Sequence, residues 1–252
     1  MTQPEKPAVI SMHQPNYLPW CGYFHKMTYS DVFVFLDSVQ YSPKTYTNRA
    51  YLPRDGALFP LSVPASLDGW QTPIHEVGID TGKFARKHLA TFQHLYGKCR
   101  AYDEVMEVIR PCYDAGYGNL ADFNISLITA ISAYLGFAPR FARLSELAID
   151  TASNQLLSDI AKRCEADVFV SGVGAKTYIA GNEAIYQEAG VALAYQHFVH
   201  PQYRQRRQPF VPGASILDLI FNHGRDAAAI LVAQAEPPYL LPQQDTPPRQ
   251  SP

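Results

Sequence analysis

"AVISMHQPNYLPWCGYFHKMTYSDVFVFLD", residues 8–37, decides how the rest of the chain is read. "AVISM" (8–12) is a short apolar run with β-branched residues and reads as a buried strand. Pro15 and Pro19 keep the next loop out of a helix, and "YFHKMTYS" (23–30) has the length for about two helical turns. "DVFVFLD" (31–37) is apolar on both faces, as strands with parallel neighbours tend to be. Strand, loop, helix and strand within about thirty residues make a βαβ unit.

Downstream, "KFARKHLATFQHLYGK" (83–98) gathers Phe84, His88, Phe92, Leu95 and Tyr96 on one helical face. "NLADFNISLITAISAYLGF" (119–137) repeats apolar residues at helical spacing, with Gly136 placed to cap the end. Alternation then returns. "RFARLSEL", "DVFVSG" and "VALAYQHF" read as strands, while "TASNQLLSDIAKRCEA", "NEAIYQEAG", "SILDLIFNHG" and "DAAAILVAQ" read as helices. The order βαβ, helical insertion (about 83–136), βαβαβ predicts an α/β domain over 1–236. Its sheet is mostly parallel and Rossmann-like, with helices on both faces. The proline- and glutamine-rich end, 237–252, is expected to be disordered.

Of 252 residues, 47% are apolar and 17% charged, the profile of a folded globular protein. A formal charge of −2 argues against a partner held through a phosphate backbone, so no nucleic acid is expected. No apolar run approaches the roughly 18 residues of a membrane span, and the start lacks the pattern of a signal peptide. Four cysteines without a CxxC pair suit reduced thiols, and the expected location is cytoplasmic.

Ligands of open parallel sheets sit beyond the carboxyl ends of the strands. His13, Gln14, Asn16 and Tyr17 follow the first strand, with Tyr23, His25 and Lys26 on the helix after them. Asp37, Gln40, Tyr41, Lys44, Asn48 and Arg49 follow the second. Ser171, Gly172, Lys176 and Tyr178 follow "DVFV" at 167–170, and His200, Tyr203, Arg204, Arg206 and Arg207 follow "VALAYQHF". If the strands are parallel, these sets share one rim. Each has a plainer reading: His13 as a turn residue, His25 facing solvent, Asp37 as a cap, and the arginine cluster as a solvated loop. "GVGAK" (172–176) is too short for a phosphate-loop signature. No GxSxG elbow and no metal-ligand spacing appear, and "WCGYFH" around Cys21 matches no thiol-enzyme pattern, so Cys21 reads as structural.

At "HQPNYLPWCGYFHK", "DVFVFLDSVQYSPKTYTNR", "SGVGAKTY" and "YQHFVHPQYRQ…PFVPGASILDLIFNHG" the sequence resembles the WbqC-like family of bacterial proteins. The resemblance covers nearly the whole chain. It implies a place in surface-polysaccharide or specialised-metabolite pathways, modifying an amino sugar or another small amine. Cys21 stands where the family typically has an aliphatic residue. A more distant likeness joins "HQP", a glycine and "DVFVFL" to the opening of the HIGH-type nucleotidyltransferases. It carries over only to His13 and Gly22, because Tyr23 stands where those proteins have a second histidine.

These readings predict a small-molecule transferase that forms an amide on a small amine from an activated, carrier- or nucleotide-linked donor. His13 or His25, with Asp37, would handle the proton. Gln40, Asn48 and Lys44 would stabilise the oxyanion or hold the donor. No cofactor or metal is expected. The first alternative is nucleotidyl transfer, with magnesium and a triphosphate near His13, Lys44 and Lys176. The second is a non-catalytic binding protein in which Tyr17, Trp20 and Tyr23 stack on a sugar.

Overall fold

In the computed structural model, which describes residues 6–206, 208–233 and 238–240, the first βαβ unit forms as its pattern demands. Strand β1 (Val9–His13) runs parallel to β2 (Val32–Phe35), with Ile10 opposite Val32 and His13 opposite Phe35. Helix α1 (Cys21–Met27) connects them.

The connection after β2 begins with an antiparallel hairpin, β3 (Arg49–Arg54) and β4 (Ala57–Ser62). Asp55 and Gly56 join its strands with φ of 53° and 78°, the left-handed pair that tight hairpins favour. Three helices follow, α2 (Thr81–Tyr96), α3 (Tyr102–Asp114) and α4 (Leu120–Leu135). Asn119 caps α4 by accepting from the Asp122 N–H at 3.1 Å, and Gly136 closes it at φ 77°.

The chain then returns to the sheet as β5 (Arg140–Arg143), α5 (Ser153–Arg163), β6 (Val168–Gly172), α6 (Lys176–Ile179), α7 (Glu183–Glu188) and β7 (Ala192–Gln196). Helices α8 (Ile216–His223) and α9 (Asp226–Val232) follow. Part of the end expected to be disordered does otherwise. Tyr239–Leu240 forms β8, antiparallel to β7, and so pairs the strand that would otherwise be an exposed edge. Residues 237 and 241–252, also in that expectation, lie outside the described residues.

The sheet order is β5-β2-β1-β6-β7-β8, parallel from β5 through β7. This is a Rossmann-like arrangement with helices on both faces. Phe33 and Phe35 point into an apolar cluster shared with α1, the inserted helices, α8 and α9. Val32 and Val34 point the other way, into a cluster with Ile160, Ile179 and Tyr186 of α5, α6 and α7. Each such side chain, fully buried, contributes about 1.5–3 kcal/mol. Connections leave β1 on one face and reach β6 from the other, so the order reverses between these two strands. In open α/β sheets ligands bind at such a reversal.

Candidate active site at the topological switch point

Pairing between β1 and β6 runs from Val9 opposite Val168 to Ser11 opposite Val170. Carried two residues further, this register sets His13 level with Gly172. These two residues flank the switch point.

The His13 imidazole lies between Tyr23 (ring centroids 4.7 Å) and Trp20 (5.6 Å). Its Nδ1 is 3.2 Å from the Gln14 carbonyl, which can only accept, so Nδ1 carries the proton and Nε2 is free to accept one. Burial, and next the Lys26 charge, lower its pKa to about 3. His13 is neutral at any physiological pH.

Lys26 sits one helical turn beyond Tyr23 on the same face of α1. A methyl group added at Gly172 would stand 3.9 Å from its Nζ. Its side chain is buried, and burial lowers its pKa to about 8. Among the described residues no carboxylate pairs with this ammonium. A buried cation without a counter-charge is costly, and such groups concentrate at functional sites.

Helix α1 is held beside the switch point by Gln196, at the end of β7. Its Nε2 donates to the Gly22 carbonyl at 2.8 Å and to His25 Nδ1 at 2.7 Å, and His25 Nε2 donates to the Tyr29 hydroxyl at 2.7 Å. Both His25 nitrogens are thereby used, and burial lowers its pKa to about 4. His25 fastens α1 from within. Gly22 admits no side chain, because a Cβ there would lie 2.6 Å from Trp20 Nε1 and 2.8 Å from the Phe198 ring.

The loop after β1 is zipped to residues 45–48. Thr47 Oγ1 donates to Gln14 Oε1 at 3.2 Å, and Asn124 Nδ2 donates to the carbonyls of Pro15 and Thr47, both at 2.8 Å. This places Tyr46, half-exposed, against Trp20 at 5.1 Å and Tyr51 at 5.4 Å, an aromatic ledge beside His13.

The other expected residues divide clearly. Ser171 is buried beside Gly172, and its hydroxyl partly offsets the burial that raises the pKa of Tyr178. The Lys176 ammonium lies over the Tyr195 ring at 5.1 Å. Asp37 is fully buried and consumed: Arg143 Nε donates to it at 2.7 Å, Ser145 Oγ at 2.8 Å and the Ser145 N–H at 2.9 Å. Arg143 also binds Asp122 at 2.7 Å, so this cluster clamps the ends of β2 and β5 to α4.

Tyr17 points into the inserted helices, accepting from Tyr113 and donating to His88 Nδ1 at 2.8 Å, while His88 Nε2 donates to the Ser62 carbonyl. Gln40 donates to the Trp70 carbonyl and Asn48 to that of Val63, both in the segment after β3. Asn16 and Tyr41 are buried, Arg49 lies on β3, and Lys44 is exposed at φ 64°. The Cys21 thiol is fully buried, and burial raises its pKa, which leaves it unreactive. The structure therefore brings together His13, Gln14, Tyr23, Lys26, Ser171 and Gly172. Sequence reasoning missed Gln196, Phe198 and Tyr46. The aromatic run "YQHF" (195–198) carried a signal for the first two. Among the described residues no helix is long and apolar enough to cross a membrane.

These features define a Rossmann-like α/β protein with a histidine and a buried lysine at its switch point. The chain belongs to the WbqC-like protein family, whose match spans residues 14–230. It is similar to a Mycobacterium tuberculosis (strain ATCC 25618 / H37Rv) protein named "Uncharacterized protein Rv1507c". The two are 29% identical over 223 residues, covering 86% of this chain and 95% of that one. No solved structure matches the chain.

Proposed function

We propose that the protein is a small-molecule transferase that joins an acyl or aminoacyl group to an amine, such as an amino sugar, in a biosynthetic pathway. One observation carries this reading: a neutral histidine with a free Nε2 and a buried ammonium that no acid among the described residues pairs with flank the switch point, where such folds bind ligands. The Lys26 ammonium holds the anionic part of the activated donor. The amine nitrogen attacks the donor carbonyl carbon, the C–N bond forms, and the amine proton passes to His13 Nε2. The bond to the leaving group breaks with its electron pair, and His13 returns the proton to that group. Pairing Lys26 with an anion also removes part of the field that makes His13 a weak base, so donor binding strengthens the base. The Trp20–Tyr46 ledge offers aromatic faces to the ring of the acceptor.

A second reading, nucleotidyl transfer with magnesium, is favoured by Lys26 and Lys176 standing on α1 and α6, which flank the switch point. Mass spectrometry separates the two. The purified protein is incubated with amino sugars and either acyl-coenzyme A or ATP plus a carboxylic acid. The transferase reading predicts a product heavier than the amine by one acyl group and absent with His13→Ala. A nucleotidylated sugar with pyrophosphate release would replace it with the second reading, and no product with any donor would count against both.

A further inference from the structure

A concavity of about 390 Å³ opens where the α2–α3 junction meets the segment after β7 and the end of α8. Lys98 and Arg100 line it from one side, Arg204, Arg206 and His223 from the other, and among the described residues no carboxylate lines it. In a chain with 21 basic and 23 acidic residues, such a convergence does not follow from overall charge. Among the described residues none of the four lysine and arginine side chains is paired with an acid. Glu104, in the adjoining hollow with Asp226, is taken by Arg225 at 3.0 Å.

The arginines are held in place. Gln205, buried between them, donates from Nε2 to the Val211 carbonyl at 2.9 Å and accepts the Val211 N–H at 2.7 Å, so its neighbours on both sides face outward. The Arg206 N–H donates to Asn222 Oδ1 at 2.8 Å, and His223 Nε2 donates to the Arg204 carbonyl at 3.1 Å. These bonds fasten the arginine segment to the end of α8. Like charges held together without a counter-ion repel one another, and the carbonyl end of α8 offsets only part of that repulsion.

We propose that this hollow is a binding site for a small molecule bearing two or more phosphate groups, separate from the His13 and Lys26 cluster at the switch point. The volume suits a diphosphate ester or nucleotide. Three guanidinium groups supply the bidentate donors that phosphate oxygens accept best, and a single phosphate would leave most of the charge unmatched. The arginines, which the sequence pattern alone assigns to a solvated loop, gain this reading from Lys98 and Arg100, more than a hundred residues away along the chain.

Isothermal titration of the full chain with inorganic pyrophosphate, at low ionic strength, tests the site. Binding is expected to exceed that of inorganic phosphate and to weaken about tenfold for each arginine removed in Arg204→Ala and Arg206→Ala. The Lys98→Ala/Arg100→Ala pair, on the opposite wall, is expected to lose affinity as well, and Lys26→Met to keep it. The proposal is overturned by pyrophosphate binding that survives both pairs of substitutions, or by loss in Lys26→Met alone, which would put the anion at the switch point. It is also overturned if only duplex DNA binds, which would make the patch a surface for a continuous polyanion.

Discussion

Two clusters of charged and polar side chains stand on the same carboxyl edge of the sheet, and they have opposite characters. At the ends of β2 and β5, Asp37 is saturated by Arg143 and Ser145, and Arg143 is shared with Asp122. At the ends of β1 and β6, His13 keeps one nitrogen free and, among the described residues, no acid pairs with the Lys26 ammonium. The charged centre of each, Asp37 in one and Lys26 in the other, is buried. Satisfied polar groups in an interior lock a structure, while unsatisfied ones are tolerated where a ligand completes them. On the proposed function, the first cluster serves architecture and the second serves chemistry.

The largest expected effect is on rate. His13→Ala should lower turnover by roughly 10²–10⁴-fold, the usual loss for a general base. Its fold should survive, because the ring is half-buried and gives up one hydrogen bond and two aromatic contacts, about 1–2 kcal/mol together. Steady-state rates combined with circular dichroism check both parts. A folded variant with near-normal rate would remove His13 from the mechanism.

Asp37→Ala should do the reverse. It leaves Arg143 short of a partner and the Ser145 N–H unsatisfied inside the protein, a loss of about 3 kcal/mol visible in urea denaturation. Whatever fraction stays folded should turn over normally. A stable Asp37→Ala variant with no activity would return Asp37 to the site and dissolve the contrast between the two clusters.

The fold was legible because its signals are local. Pro15, Pro19, the "DVFVFL" run and the helical spacing in 119–135 each act within a few residues. The hairpin at 49–62 escaped despite its Asp55–Gly56 turn, because Pro53 and Pro60 interrupt the strand pattern. Helix α3 falls within the helical insertion expected over 83–136 but was not singled out there, because it contains Pro111, which α3 tolerates close to its C-terminal end.

The candidate site was legible only as a set of polar residues after strands. Whether such a residue is satisfied depends on partners far along the chain. Asp37 meets Arg143 and Ser145 from across 106 and 108 positions, and His25 meets Gln196 from across 171. No local pattern distinguishes these residues from His13 or Lys26, whose distinction is what they lack.

The central claim, that Lys26 is a cation kept buried for a ligand, is tested most directly by the pH dependence of the stability of Lys26→Met. Its pKa of about 8 in the folded protein lies below the 10.5 of a free lysine side chain. The unfolded chain therefore holds the proton more tightly, and the buried charge costs stability in full below about pH 8. That cost is relieved as pH rises from 8 to 10.5. Urea denaturation at pH 7 should show Lys26→Met more stable than the native chain by about 1–3 kcal/mol, since an apolar side chain of similar length replaces an unpaired charge. The gain should shrink through the same pH window. A variant less stable than the native chain at pH 7, with no dependence on pH above 8, would show that Lys26 is a satisfied structural residue like Asp37.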